Sequence, residues 1–93
     1  MKRSALITGA TGGIGQALAR QLNGAGFAIF ITGRSEAKLE ALRHELRCPG
    51  LALDLAPPDA APRLYAAAYA ALGQIDVLVN NAGFNRAKTP LPD

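Results

Sequence analysis

Residues Thr8-Gly9-Ala10-Thr11-Gly12-Gly13-Ile14-Gly15 place four glycines within the seven positions from Gly9 to Gly15. The stretch begins where a short apolar run, Ala5-Leu6-Ile7, ends, and it leads into a helical pattern that starts at Gln16. Glycine lets a chain reverse sharply, tolerates positive φ and leaves no Cβ between the backbone and an approaching ligand. A helix opened by such a loop carries unpaired N–H groups in its first turn and the positive end of its dipole. The chemistry suited to that arrangement is the holding of a phosphate or pyrophosphate, so the first candidate ligand is a nucleotide.

The loop needs a strand before it and a helix after it, and the chain supplies both in alternation. A first strand is expected over about Ser4 to Thr8 and a first helix over about Gly13 to Asn23, with Leu18 and Leu22 on its buried stripe. Gly24 and Gly26 should end that helix. Phe27 to Thr32 is a continuous apolar run of the kind found when both faces of a parallel sheet are covered. Ser35 is a good N-cap for a second helix, with Leu39, Leu42 and Leu46 as its stripe and an end near Arg47. After Pro49-Gly50 a short third strand, Leu51 to Leu53, reaches Asp54, and Pro62 suits the first turn of a third helix that ends at Leu72 before Gly73. Ile75 to Val79 reads as a fourth strand buried on both faces, followed by Asn80-Asn81-Ala82-Gly83. This is an α/β pattern, a doubly wound parallel sheet of about four strands and three helices. Residues 1–83 form the expected domain and residues 84–93 an irregular tail.

Composition narrows the classes. The 93 residues, 49% of them apolar, suit one small domain with a core of its own. No apolar run is long enough to span a bilayer, and the start Met1-Lys2-Arg3-Ser4 meets the glycine loop too early for a signal peptide, so a cytoplasmic location and no membrane partner are expected. The single cysteine, Cys48, has no disulfide partner and no metal-ligand spacing, so no metal site is expected. Net charge +3 comes from scattered basic residues rather than a patch, which argues against nucleic acid as a partner.

The rival phosphate motif, G-x-x-x-x-G-K-[ST], requires a lysine and a hydroxyl after its last glycine, whereas Gln16 and Ala17 follow Gly15. A loop that follows a strand, opens a helix and lies in a βαβ unit meets the conditions for a dinucleotide fingerprint instead. With Thr8-Gly9-x-x-x-Gly13-Ile14-Gly15, Asp54 after the third strand and Asn80-Asn81-Ala82-Gly83 after the fourth, the chain resembles the N-terminal part of a short-chain dehydrogenase/reductase over residues 2 to about 85. That resemblance implies a Rossmann fold, a nicotinamide dinucleotide as cofactor and hydride transfer between it and an unknown carbonyl or alcohol.

Roles for the matching positions follow in part from chemistry. Gly9, Gly12, Gly13 and Gly15 make the turn and admit the pyrophosphate, while Thr11 and Ile14 present backbone N–H groups along it. For Gly15 close packing of helix on strand is part of the reason for glycine. Asp54, with Leu55 beside it, ends its strand at the carboxyl edge of the sheet, where Asp54 can accept from an adenine amino group or simply cap the turn before Pro57. Asn81, Ala82 and Gly83 are expected beside the adenosine ribose, and Asn80 is expected to tie strands together. At the end of the second strand an NAD site carries an acid for the ribose 2′-hydroxyl, and here Gly33 stands there. Arg34 offers a planar fork of donors suited to a phosphate and Ser35 adds a hydroxyl, which favours NADP(H) over NAD(H). Arg34 as an ordinary exposed arginine is the alternative.

No residue present reads as catalytic. His44 lies between Arg43 and Glu45 on a helix, and Tyr65 and Tyr69, four apart on the third helix, read as packing residues. The family's Tyr-x-x-x-Lys pair, serine and catalytic asparagine have no match here. The chain alone is therefore expected to be inactive, a cofactor-binding portion of a longer enzyme, with its fourth strand leaving an apolar edge for association or homo-oligomerisation. A non-catalytic NADP(H)-binding module acting through a partner is the alternative.

Overall fold

The computed structural model describes residues 2–81. Its elements are β1 (Ser4–Ile7), α1 (Gly13–Gly24), β2 (Ala28–Gly33), α2 (Glu36–Leu46), β3 (Gly50–Ala52), α3 (Ala60–Leu72) and β4 (Val77–Val79). The four strands form one parallel sheet in the order β3-β2-β1-β4. The α/β, doubly wound expectation is met. Ala82, Gly83 and the tail 84–93 lie outside the described residues.

Strand alternation sorts the core into two layers. Ala5, Ile7, Ile29 and Ile31 point to one face and pack with Ala19, Leu39 and Leu42 of α1 and α2. Leu6 and Phe30 point to the other and pack with Leu64 and Ala68 of α3. Successive strand residues thus serve opposite faces, and helices on both faces explain why β1 is buried throughout. On α1 the fully buried positions are Gly15 and Ala19, with Leu18 and Leu22 half-buried beside them.

Helix ends follow local chemistry. The Ser35 hydroxyl accepts from the Lys38 N–H at 3.3 Å and caps α2, as its residue type suggests. At the other end Arg47 takes the left-handed conformation, φ 53°, while the Cys48 N–H donates to the Arg43 carbonyl at 3.2 Å. Gly73, φ 81°, ends α3 with its N–H donating to the Tyr69 carbonyl at 2.8 Å.

Three expectations need correction. β3 runs from Gly50 to Ala52, one residue earlier than the expected Leu51 to Leu53, because pairing with β2 already begins there: Gly50 lies opposite Ile31, whose N–H donates to the Pro49 carbonyl at 3.1 Å, and a Cβ on Gly50 would lie 2.6 Å from the Ile31 carbonyl oxygen. Glycine at that position serves the close approach of β3 to β2 rather than a helix stop. Tyr65 and Tyr69 do not pack: α3 buries Ala60, Leu64 and Ala68, one stripe at four-residue spacing, and each tyrosine stands one residue beyond it, 37% and 52% exposed. β4 is shorter than Ile75 to Val79 and is not buried on both faces. Val77 and Val79 pack against the α1 and α2 layer, whereas Leu78, on the sheet edge and on the opposite face, is 47% exposed.

Asp76, the polar residue just before β4, closes the entrance of the sheet. Its carboxylate accepts from the Ser4 N–H at 2.8 Å and from the Gln74 amide at 2.8 Å, while its own N–H donates to the Ser4 carbonyl at 2.9 Å. These bonds set β4 in register with β1 and so deliver Asn80 to the far end of β1.

Candidate dinucleotide site

The carboxyl ends of β1, β2, β3 and β4 share one edge of the sheet, and the chain crosses from the β3 side to the β4 side between them. In open α/β sheets the crevice beside such a switch point is where ligands bind.

The glycine loop lies in that crevice. Gly9, φ 62°, makes the left-handed turn out of β1. The Ala10 N–H donates to the Thr32 carbonyl at 2.9 Å and pins the loop to the end of β2, and the Gly12 N–H donates to the Gly9 carbonyl at 3.3 Å. The Gln16 side chain donates to the Thr11 carbonyl at 2.9 Å and fixes that peptide from the helix side. A Cβ on Gly15 would strike the Gly9 carbonyl oxygen and come within 2.8 Å of the Ala10 Cα, so Gly15 lets α1 press against the loop itself.

Gly13 answers to a different demand. A Cβ there would meet nothing within 4 Å, and its φ is not in the left-handed region. Among the described residues nothing requires glycine at this position. The helix it begins has Gly12 as N-cap and, among the described residues, no side-chain cap and no acidic residue in its first turn, so its leading N–H groups and positive dipole end can serve an acceptor. Ile14, 70% exposed, stands at the same end.

Around the loop the remaining candidates are spread along the same edge. Gly33 ends β2 and is buried, Arg34 follows exposed and pairs with no carboxylate among the described residues, and Ser35 is half-buried. Asp54 is exposed and accepts from the Ala56 N–H at 3.0 Å through Oδ1, which is the turn-capping role. Leu55 packs toward the α3 layer.

Thr8 opens the loop motif, but sequence reasoning gave it no role of its own. Its hydroxyl lies 3.0 Å from Asn80 Oδ1 and 3.3 Å from the Val79 carbonyl oxygen, and it accepts from the Asn81 N–H at 2.8 Å. With the Thr8 N–H donating to the Val79 carbonyl at 2.9 Å, one residue joins the ends of β1 and β4 across the switch point. Asn80 thus ties strands, as its position suggested, and Asn81 is held by its backbone. The available signal was a hydroxyl residue standing immediately before the left-handed Gly9.

His44 sits away from this edge, its side chain 80% exposed and 3.8 Å from Glu40. Arg20 and Glu45 form a two-pronged ion pair at 2.7 and 3.0 Å between α1 and α2; the hydrogen bond, helped by charge attraction and opposed by desolvation, raises the arginine pKa and lowers that of the carboxylate. Burial raises the pKa of the Cys48 thiol, with the nearby Arg43 charge opposing it. Arg20 also donates to Gln16 Oε1 at 3.3 Å and so braces the side chain that holds the Thr11 carbonyl. Among the described residues no cluster of His, Cys, Asp or Glu could hold a metal, and no helix is long and apolar enough to cross a membrane.

A parallel doubly wound sheet with a glycine loop at its switch point defines a Rossmann-type nucleotide-binding fold. The particular family follows from comparison: the short chain dehydrogenase family model matches residues 3–91, and the chain belongs to that family. Serine 3-dehydrogenase of Agrobacterium fabrum is 43% identical over 94 residues, which cover 99% of this chain and 38% of that protein. The 3-oxoacyl-[acyl-carrier-protein] reductase FabG of Aquifex aeolicus is 35% identical, covering 89% of this chain and 36% of the relative. Among solved structures, an actinorhodin polyketide ketoreductase with NADPH superposes with a TM-score of 0.84 at 39% identity, over 88% of this chain and 33% of the other. The Pseudomonas aeruginosa RhlG/NADP active-site complex gives 0.80 at 36% identity, over 87% and 34%. The chain therefore spans between a third and two fifths of the length of these relatives.

Proposed function

We propose that this chain supplies the cofactor-holding side of an NADP(H)-dependent oxidoreductase that moves hydride between the dinucleotide and a carbonyl or alcohol. The observation that carries the reading is the pairing of Gly13, whose Cβ space is empty, with an uncapped α1 terminus beside the switch point. A pyrophosphate fits that space and those donors. When bound, the nicotinamide supplies the hydride donor or acceptor. The chain's own residues bind and orient: the loop from Gly9 to Gly15, with Thr11, Gly12 and Ile14, receives the pyrophosphate through backbone N–H groups. Arg34 and Ser35 receive a ribose 2′-phosphate, Asp54 and Leu55 border the adenine, and Asn81, Ala82 and Gly83 border the ribose.

Arg34 supports NADP(H) over NAD(H) because Gly33, not an acid, ends β2 where a carboxylate would receive a 2′-hydroxyl or repel a phosphate, and because no described carboxylate engages the guanidinium. Two of the structural neighbours named above carry NADPH or NADP in their descriptions, which agrees with this choice.

The test is titration of the purified chain with NADPH and NADH. Binding is read as the change in the intrinsic fluorescence of the reduced dinucleotide. Tighter binding of NADPH, reversed or abolished in Arg34→Asp, is expected. Failure to bind either dinucleotide overturns the cofactor reading, and equal binding of both overturns the role of Arg34.

A further inference from the structure

Gly33 occupies the position that decides between the two dinucleotides, and the structure shows why it is glycine. Its φ is not in the left-handed region, so the backbone would accept any residue. Space would not. A Cβ built on Gly33 lies 2.7 Å from Thr11 Cγ2, 2.8 Å from Thr11 Oγ1 and 3.3 Å from Thr11 Cβ. Both branches of the threonine straddle the spot, so no rotation about its χ1 clears both of them away. Nor can Thr11 retreat as a unit. Its carbonyl is held by Gln16, the preceding residue is bonded to Thr32, and Gly15 is pressed against the loop from behind. On the other side Gly33 is fixed by the Leu53 N–H, which donates to its carbonyl at 2.9 Å.

We propose that Thr11 is a specificity-determining residue that acts by steric exclusion: it keeps position 33 free of any side chain, an acid included, and so keeps the ribose pocket open to a 2′-phosphate. The inference rests on the cofactor reading given above, but its steric half stands without it. Dinucleotide preference is then a property of the Thr11–Gly33 pair together with Arg34. Installing an acid at position 33 alone displaces the phosphate loop instead of creating an NAD site. Removing the two γ atoms of Thr11 leaves only its Cβ, at a separation that a shift of a few tenths of an ångström relieves.

Two double-mutant cycles test this, one without ligand and one with it. Thermal melts of the wild-type chain, Gly33→Ala, Thr11→Ala and the double variant read the steric half. Gly33→Ala is expected to lower Tm by about 5 °C or more, and adding Thr11→Ala to recover most of that loss. If Gly33→Ala melts like wild type, or if Thr11→Ala restores nothing or the double variant fails to fold, the exclusion is overturned. Titration with NADPH and NADH then reads specificity. Gly33→Asp is expected to weaken both dinucleotides about tenfold or more, whereas Thr11→Ala with Gly33→Asp regains NADH binding and not NADPH binding. If Gly33→Asp alone binds NADH well, Thr11 does not control the pocket. A wild-type chain that binds neither dinucleotide removes the cofactor reading and the specificity half with it, while the melting cycle still decides the steric half.

Discussion

Gly13 and Gly15 stand two residues apart under opposite constraints, and substitution separates them. Gly13→Ala puts a methyl group into open space, so the fold should keep its Tm or gain up to about 1 kcal/mol from reduced freedom in the unfolded chain. On the proposed cofactor reading dinucleotide affinity should fall, because the methyl group would enter the space proposed for the pyrophosphate. Gly15→Ala should instead cost about 1–3 kcal/mol of stability, since its methyl strikes the backbone of Gly9 and Ala10. Melting curves with and without NADPH distinguish the two, and a Gly13→Ala chain that binds as tightly as wild type would remove Gly13 from the cradle. Thr8→Val keeps the shape but removes the acceptor of the Asn81 N–H and the partner of Asn80, and should destabilise by about 1–3 kcal/mol, measured by urea denaturation. The glycine positions were readable in the sequence because glycine announces itself. Which glycine is required by packing and which faces open space was not, because that depends on atoms brought close by the fold. The Thr11–Gly33 contact was hidden for the same reason, since its members are 22 positions apart in the chain.

At the scale of elements, periodicity revealed the strands and helices well and their inward faces less well. Of the expected stripe Leu39, Leu42 and Leu46, the first two are buried and Leu46 is half-buried against the same core. On α3 the aromatic residues attracted attention by size, yet alanine and a single leucine form the buried stripe because small side chains let the helix approach the sheet closely. Leu64→Ala should therefore cost about 2–5 kcal/mol, while Tyr69→Ala should change stability little. Comparable losses in the two variants would mean that α3 is rotated from the orientation described. Asp76 was noticed as a polar interruption in an apolar run, but its carboxylate works because β1 begins beside it, an arrangement that no local pattern records. The Arg20–Glu45 pair joins α1 to α2 on the surface, where salt screens it. Its removal by Arg20→Gln should have a small effect that shrinks further as ionic strength rises.

Across the whole molecule, the buried Cys48 thiol links stability to pH. Burial raises its pKa, so the thiolate forms more readily in the unfolded chain than in the folded one. Its stabilising contribution is complete below the unfolded pKa, ordinarily near 8.5, and is lost as pH rises through the folded value. Melting temperature should decline on the alkaline side less in Cys48→Ala than in wild type, after allowing for the methyl-sized cavity that the substitution leaves. Thiol labelling of the native chain should be slow and should accelerate in denaturant. The strand order has a temporal consequence as well. β1 is made first but lies inside the sheet, and its partner β4 is joined to it by bonds spanning 72 residues. Closing so long a loop is slow compared with forming the local helices. During synthesis the outer side of β1 stays unpaired until nearly the whole described chain has emerged. Among the described elements, the crevice between the ends of β1 and β4 is thus the last part to form, and on the cofactor reading a dinucleotide acts on their folding only at that step.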